Sequence, residues 1–142
     1  MADDHDGAQE AIIEPGLCLA LLDSQQLGRC VTGGTNPRIR PVNYVFDGAI
    51  FFRTDRPPTS GSEVLFEVDQ FDEARREGWS VIIEGHVFVA ALDDLSAESF
   101  ARLHPWAPGQ KSSLCKIVID TMSGRWVRAE RQAAIGDDRG YL

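Results

Sequence analysis

Arg38-Ile39-Arg40-Pro41-Val42-Asn43-Tyr44-Val45-Phe46-Asp47-Gly48-Ala49-Ile50-Phe51-Phe52-Arg53-Thr54 reads as two strands joined at Asp47-Gly48. Asp-Gly between apolar runs is a strong hairpin signal, because a type I′ turn needs positive φ at both central residues. A two-residue loop would set Phe46 opposite Ala49, Tyr44 opposite Phe51, Val42 opposite Arg53 and Asn43 opposite Phe52. Both faces of this ribbon are largely apolar, so the sequence predicts cover on both. Its far end carries a cation and a hydroxyl, Arg53 and Thr54, which suit an anion anchor. On an unbroken strand these two side chains point to opposite faces. Both reach one anion only if the strand ends near Arg53.

Before the hairpin, Pro15 to about Gln26 reads as a helix. Pro15 suits the first turn, Gly28 suits the stop, and Leu17, Leu21 and Leu22 form the buried stripe. Arg29–Thr32 is a short strand. Gly33-Gly34-Thr35-Asn36 is a turn and not a phosphate loop, since no Gly-Lys-Ser/Thr follows it. After the hairpin, Asp55–Ser62 is a Pro/Gly/Ser/Thr loop, and Glu63–Asp69 alternates as a strand. Gln70–Glu77 reads as a charged connector. Trp79–Ala90 is the longest strand, and its Gly85 predicts a bulge or bend. A helix is expected over about Leu92–Leu103 with Asp93-Asp94 as caps. His104–Gly109 is a rigid loop carrying Trp106. Strands at Leu114–Ile119 and about Arg125–Ala129 complete the pattern.

With 142 residues, one domain is expected. The assignments are a disordered acidic arm over 1–13, a domain over 14–129 and a mobile tail over 130–142. Six or seven antiparallel strands with two helices make a mainly β protein. Two-sided apolar strands and a mid-strand glycine favour a small closed or nearly closed barrel over a sandwich. The net charge of −8 argues against general nucleic-acid or anionic-membrane binding but leaves room for a local basic pocket. No apolar run approaches the roughly 20 residues that span a bilayer. The acidic start is unlike a signal peptide. Cys18, Cys30 and Cys115 are few and scattered, which reads as buried reduced thiols in a cytoplasmic protein. His5, His86 and His104 are dispersed and give no zinc site. No G-x-S-x-G elbow is present, so a hydrolase has no support.

Set in order, several short motifs make a pattern: Leu27-Gly28-Arg29, Pro41-Val42-Asn43-Tyr44, Asp47-Gly48, Phe52-Arg53-Thr54, Phe66-Glu67-Val68-Asp69, Gly78-Trp79-Ser80-Val81, Glu84-Gly85, Pro105-Trp106-Ala107-Pro108-Gly109, and Thr121, Gly124 and Arg125. Over about residues 14–128 the chain resembles the pyridoxamine 5′-phosphate oxidase-like, FMN-binding split-barrel proteins, in particular the small actinobacterial-type members. The resemblance implies a six-stranded antiparallel split barrel, a homodimer, and two flavin sites at the subunit interface. It implies that Arg53 and Thr54 grip the FMN phosphate. In the loop that follows, which lacks the family's lysine, Arg56, Thr59, Ser60 and Ser62 are the substitute donors. Pro41, Val42, Asn43 and Tyr44 would border the flavin ring. Trp79, Ser80, Trp106 and Arg125 would come from the partner subunit or the flavin rim. Arginine suits a phosphate because its planar, permanently charged fork donates in pairs.

The function expected on this resemblance is a flavin-dependent oxidoreductase acting on a small molecule. The family's lysine-bearing segment after Arg-Thr is absent from Asp55–Ser62. The alternative is therefore a non-catalytic binding protein: an F420 or haem binder, or a dimeric module with no cofactor.

Overall fold

A computed structural model describes residues 8–103 and 113–129. The expected loop with Trp106 and the expected tail over 130–142 lie outside the described residues. In chain order the elements are β1 (Ala8–Ile13), α1 (Pro15–Asp23), β2 (Leu27–Thr32), β3 (Arg38–Phe46), β4 (Ile50–Thr54), β5 (Glu63–Asp72), β6 (Glu77–Val89), α2 (Ala97–Arg102) and β7 (Ser113–Ala129). A single 3-10 turn, Leu92–Asp94, precedes α2.

The sheet order is β1-β7-β4-β3-β2-β5-β6, and β6 pairs back onto β7. Six strands thus form a closed antiparallel ring, with β1 added on the edge of β7 beyond β4. This is the expected barrel. Its split lies beside β3, where β4 pairs only with Tyr44, Val45 and Phe46. The other edge of β3 pairs with β2 from Arg38 to Asn43.

The hairpin register differs from the expected one. Tyr44 faces Phe52, Val45 faces Phe51 and Phe46 faces Ile50, so the loop is three residues, Asp47–Ala49. Gly48 alone carries positive φ, at 75°. Three-residue hairpins of this kind need one left-handed residue where a type I′ loop needs two, and Asp47 need not be strained. Alternation then sorts β4 cleanly. Ile50 and Phe52 enter the main core with Tyr44, Phe66, Val68, Val81, Ile83 and Ile117. Phe51 joins Val45, Leu95, Leu103 and Leu114 in a second core under α2.

Other boundaries also shift. Ala8–Ile13 is not an arm but a strand paired with residues 124–129 of β7, and Ile13 is buried. α1 starts on Pro15 as expected, capped by the Glu14 carboxylate, but ends at Asp23, so Gly28 lies within β2. The charged stretch after Asp69 extends β5 and β6 into a long hairpin, reversed over residues 73–76 with Arg76 at φ 57°. The expected Leu92–Leu103 helix is broken at Leu95, which drops into the second core, and Ser96 recaps α2 through its hydroxyl to the Ser99 amide at 3.1 Å. The last two expected strands are one 17-residue strand.

Gly85 behaves as expected. The β6–β7 register slips there, with Glu84 opposite Thr121 and Gly85 opposite Ile119, leaving Asp120 as the extra residue. A Cβ on Gly85 would lie 2.2 Å from the Val118 carbonyl oxygen, so only glycine allows the strands to close.

Candidate functional site

The β3–β4 hairpin was expected to present its end to an anion, and the structure shows what is there. Thr54 occupies the inward phase of β4 and is buried. Its Oγ1 accepts a hydrogen bond from the Arg56 amide at 3.0 Å. The Arg56 carbonyl in turn accepts from Arg40 Nη2 at 3.1 Å. Arg40 shares the phase of Val42 and Tyr44 along β3 and is half-buried at the split. Its guanidinium lies close enough to the barrel interior to pull the Cys30 and Cys115 thiols down. Burial dominates all the same, and pushes Cys30 up to about 11. Those thiols stay protonated, as the sequence reading of inert cysteines requires.

Arg53 takes the other face. Its guanidinium carbon lies 5.8 Å from the centre of the Phe100 ring on α2, a cation–π contact. Arg53 and Thr54 are therefore on opposite sides of β4, because the strand runs unbroken through both. Arg40, through the Arg56 carbonyl, is the cation tied to the loop that follows Thr54. The sequence held a signal for it: a cation at the inward phase of an otherwise apolar strand.

Pro41 and Asn43 lie on the outer face of β3, Pro41 exposed and Asn43 half-buried. Asn43 Nδ2 donates to the Gln26 carbonyl at 3.3 Å. Val42 packs against the main core. Tyr44 is fully inside it, edge-on to Phe66, with its hydroxyl donating to the Leu22 carbonyl. Burial raises the Tyr44 phenol well above its ordinary value, so it stays neutral. Its side chain is a core element.

The loop after β4 is tied to β6. Ser60 Oγ accepts from the Val89 amide at 3.2 Å, and the Thr59 carbonyl accepts from the Ser62 hydroxyl at 2.6 Å. Gly61 donates to the Val87 carbonyl. The segment without a lysine is thus held by its own hydroxyls and by Arg40.

Trp79, Ser80 and Arg125 sit elsewhere. Ser80 faces Arg125 and Trp79 faces Trp126 across β6 and β7. Trp79 and Trp126 are half-buried against the main core. Arg125 is exposed and pairs with Glu10 at 3.3 Å. Arg53 faces Leu114, eleven residues before Arg125 on β7. That is roughly 35 Å of extended chain. One subunit does not bring these groups to one site.

The structure also holds a cleft of about 480 Å³ that none of the residues expected at the cofactor site line. It opens at the β6–β7 bulge between Val31, Leu65, Glu63, Glu84, His86 and Asp120. There His86 Nδ1 meets the Asp120 carboxylate at 2.6 Å. Neighbouring β2 and β5 carry a second charge group, in which Arg29 Nη1 bonds both Glu67 at 3.1 Å and Asp69 at 3.4 Å. No group of three potential ligands able to hold a metal ion occurs among the described residues. No helix among them is long and apolar enough to cross a membrane.

The chain can now be set beside known proteins. Residues 14–126 match the family model described as pyridoxamine 5′-phosphate oxidase. An uncharacterized protein of Mycobacterium tuberculosis is 31% identical over 118 residues, covering 75% of this chain and 78% of that one. Among solved structures, a pyridoxamine 5′-phosphate oxidase-like protein of Corynebacterium glutamicum superposes with a TM-score of 0.70 at 29% identity, covering 83% of this chain and 98% of that one. A FAD-binding protein of Mycobacterium smegmatis gives a TM-score of 0.65 at 27% identity, covering 83% and 100%. With the family model spanning most of the chain and a six-strand ring that matches these neighbours, the chain belongs to the pyridoxamine 5′-phosphate oxidase family and has its split-barrel fold.

Proposed function

We propose that this chain is a flavin-binding split-barrel protein acting as a homodimer. The flavin phosphate binds at the hairpin end made by Arg40, Thr54 and the Arg56 backbone. The flavin ring runs along Pro41–Tyr44, and Trp79, Ser80 and Arg125 of the second subunit border it. The observation that carries this reading is the Arg40–Arg56–Thr54 network. It fixes a permanent cation and a rigid loop at the barrel's split, in a chain of net charge −8. Arg40 spends one N–H on the Arg56 carbonyl, and the rest of its planar fork suits a phosphate.

Thr54 pairs with Ser113, twelve residues before Arg125 on β7, and this separation of the two ends of the site supports the dimer. The M. smegmatis relative binds FAD, and FMN was the expectation from the motifs. The phosphate next to the flavin ring is common to both. When bound, the flavin supplies hydride and electron transfer. The chain's own residues anchor it, orient it and exclude water.

Titration of the purified protein with FMN and with FAD, followed by quenching of flavin fluorescence, tests the reading. Saturation at one flavin per chain supports it. No saturable quenching with either flavin rejects it.

A further inference from the structure

A trough runs between α1 and α2, floored by the end of β3 and the hairpin turn that follows it. Two hollows make it up, one of about 360 Å³ beside Tyr44, Val45 and Phe46 and one of about 460 Å³ beside Phe46, Asp47 and Gly48. Both fall in the size range of small-molecule sites. Asp23 of α1, Phe46 of the floor and Arg102 of α2 line both hollows, so these three form the waist. Ala20 on the α1 wall and Ala101 on the α2 wall add apolar surface beside Phe46.

The waist carries opposite charges on its two walls, and they do not meet. Neither Asp23 nor Arg102 forms an ion pair among the described residues. Arg102 Nη2 donates to the Ser99 hydroxyl at 3.3 Å, which holds the guanidinium against α2. The Asp47 carboxylate accepts from the Ser96 amide at 3.3 Å; that bond is the main reason its carboxyl is lowered, with Arg102 a lesser one. Asp23 is the last residue of α1, whose final turn holds no cation. The helix dipole adds negative charge at the same end. Two carbonyls of that end are already taken, Leu21 by the Ser24 hydroxyl and Leu22 by the Tyr44 hydroxyl. Burial first, and then the charge of Asp23, raise the Tyr44 phenol, so the Asp23 carboxylate faces the floor of the trough.

We infer that this trough binds a small zwitterion of the α-amino acid class, with its ammonium on Asp23 at the end of α1, its carboxylate on Arg102, and an apolar side chain over Phe46. A ligand with a single charge answers one wall and leaves the other uncompensated. An ammonium and a carboxylate on one carbon answer both, and the guanidinium fork suits the carboxylate. The ammonium also supplies the cation that the last turn of α1 lacks. Six residues of β3, roughly 20 Å of strand, separate Phe46 from Arg40. The site is therefore distinct from the proposed phosphate end and needs no flavin. Asp23 and Arg102 are both exposed, so solvent screening keeps the affinity modest, about millimolar.

Titration of the full chain with L-phenylalanine at low ionic strength, followed by amide NMR shifts, tests this. Saturable shifts are expected at the Tyr44 to Gly48 amides. 2-Phenylethylamine and 3-phenylpropionate each keep one of the two charges and should bind about tenfold more weakly. Asp23→Asn should weaken L-phenylalanine by a similar factor and leave 3-phenylpropionate unchanged. Arg102→Gln should weaken L-phenylalanine and leave 2-phenylethylamine unchanged. Both side chains are exposed, so neither variant opens a core, and the same spectra report whether each is folded. No saturable shift at these amides up to about 10 mM L-phenylalanine overturns the inference. Equal affinity for the three compounds overturns it too, as does L-phenylalanine binding that is unchanged in both variants. None of these results bears on the flavin titration.

Discussion

Arg40 on β3 donates to the carbonyl of Arg56 at 3.1 Å, across the open split of the barrel. The bond joins the strand that was expected to border a flavin ring to the loop that was expected to grip its phosphate. Through the Arg56 amide the same loop is fixed to Thr54. Any anion at this end meets a guanidinium whose position is set before it arrives, which lowers the cost of ordering on binding.

Arg40→Ala should therefore weaken flavin binding by about 1.5–3 kcal/mol, the usual worth of a charge-assisted hydrogen bond. Arg53, on the far side of β4 against Phe100, should matter less. The check is a pair of fluorescence titrations. Equal losses for Arg40→Ala and Arg53→Ala would move the phosphate away from the inward face.

Thr54→Val keeps shape and removes Oγ1. The Arg56 amide then loses its acceptor in a part-buried site. The expected cost is about 1–2 kcal/mol of stability, read as a shift in the urea midpoint with an unchanged slope. A midpoint equal to the parent's would show that water replaces the hydroxyl.

Gly85→Ala tests the bulge. The new Cβ would meet the Val118 carbonyl oxygen at 2.2 Å, a backbone contact that cannot swing aside. A loss of about 2–4 kcal/mol is expected. A loss below about 0.5 kcal/mol would mean that the strands can part there at little cost.

Glu67 gives a pH signature that runs opposite to most carboxylates. Its folded-state value, about 7, lies above the ordinary value of 4.5. The folded chain therefore binds more protons than the unfolded chain between those values, and stability falls as pH rises from about 4.5 through 7. The group is partly solvated, so solvent screening cuts the effect to roughly 1 kcal/mol. Thermal unfolding of the parent at several pH values should show this decline, and Glu67→Gln should flatten it. The same slope in both proteins would remove Glu67 as its source.

Much of the barrel was legible in the sequence because alternation is a local property. Val64, Phe66 and Val68, and Val81, Ile83 and Val87, point inward as their spacing predicts. Gly85 marked the bulge for the same reason. The hairpin register was not legible, since Asp-Gly serves two-residue and three-residue loops alike, and the choice rests on packing Tyr44 beside Phe52 instead of Phe51. The charged run after Asp69 hid a strand extension because residues 70–76 lie exposed at the turn end of the sheet, where strand pairing needs no apolar side chains. β1 was hidden because its partner lies more than a hundred residues away in the chain.

At the candidate site, the residues that the structure brings together differ in part from those grouped by the sequence. Arg-Thr at a strand end signalled an anion anchor, and Thr54 is indeed tied into the loop there. Strand alternation then takes Arg53 to the other face. Arg40, the cation tied to this loop, sits thirteen positions before Arg53, on a strand brought near only by the barrel. The Arg29–Glu67–Asp69 cluster likewise forms only because β2 pairs with β5.

The most direct test of the central claim is the stoichiometric titration of the purified protein with FMN and with FAD. The account predicts saturable quenching of flavin fluorescence at one flavin per chain, weakened by Arg40→Ala. Flavin fluorescence that stays unquenched through a tenfold excess of protein, for both flavins, would contradict it.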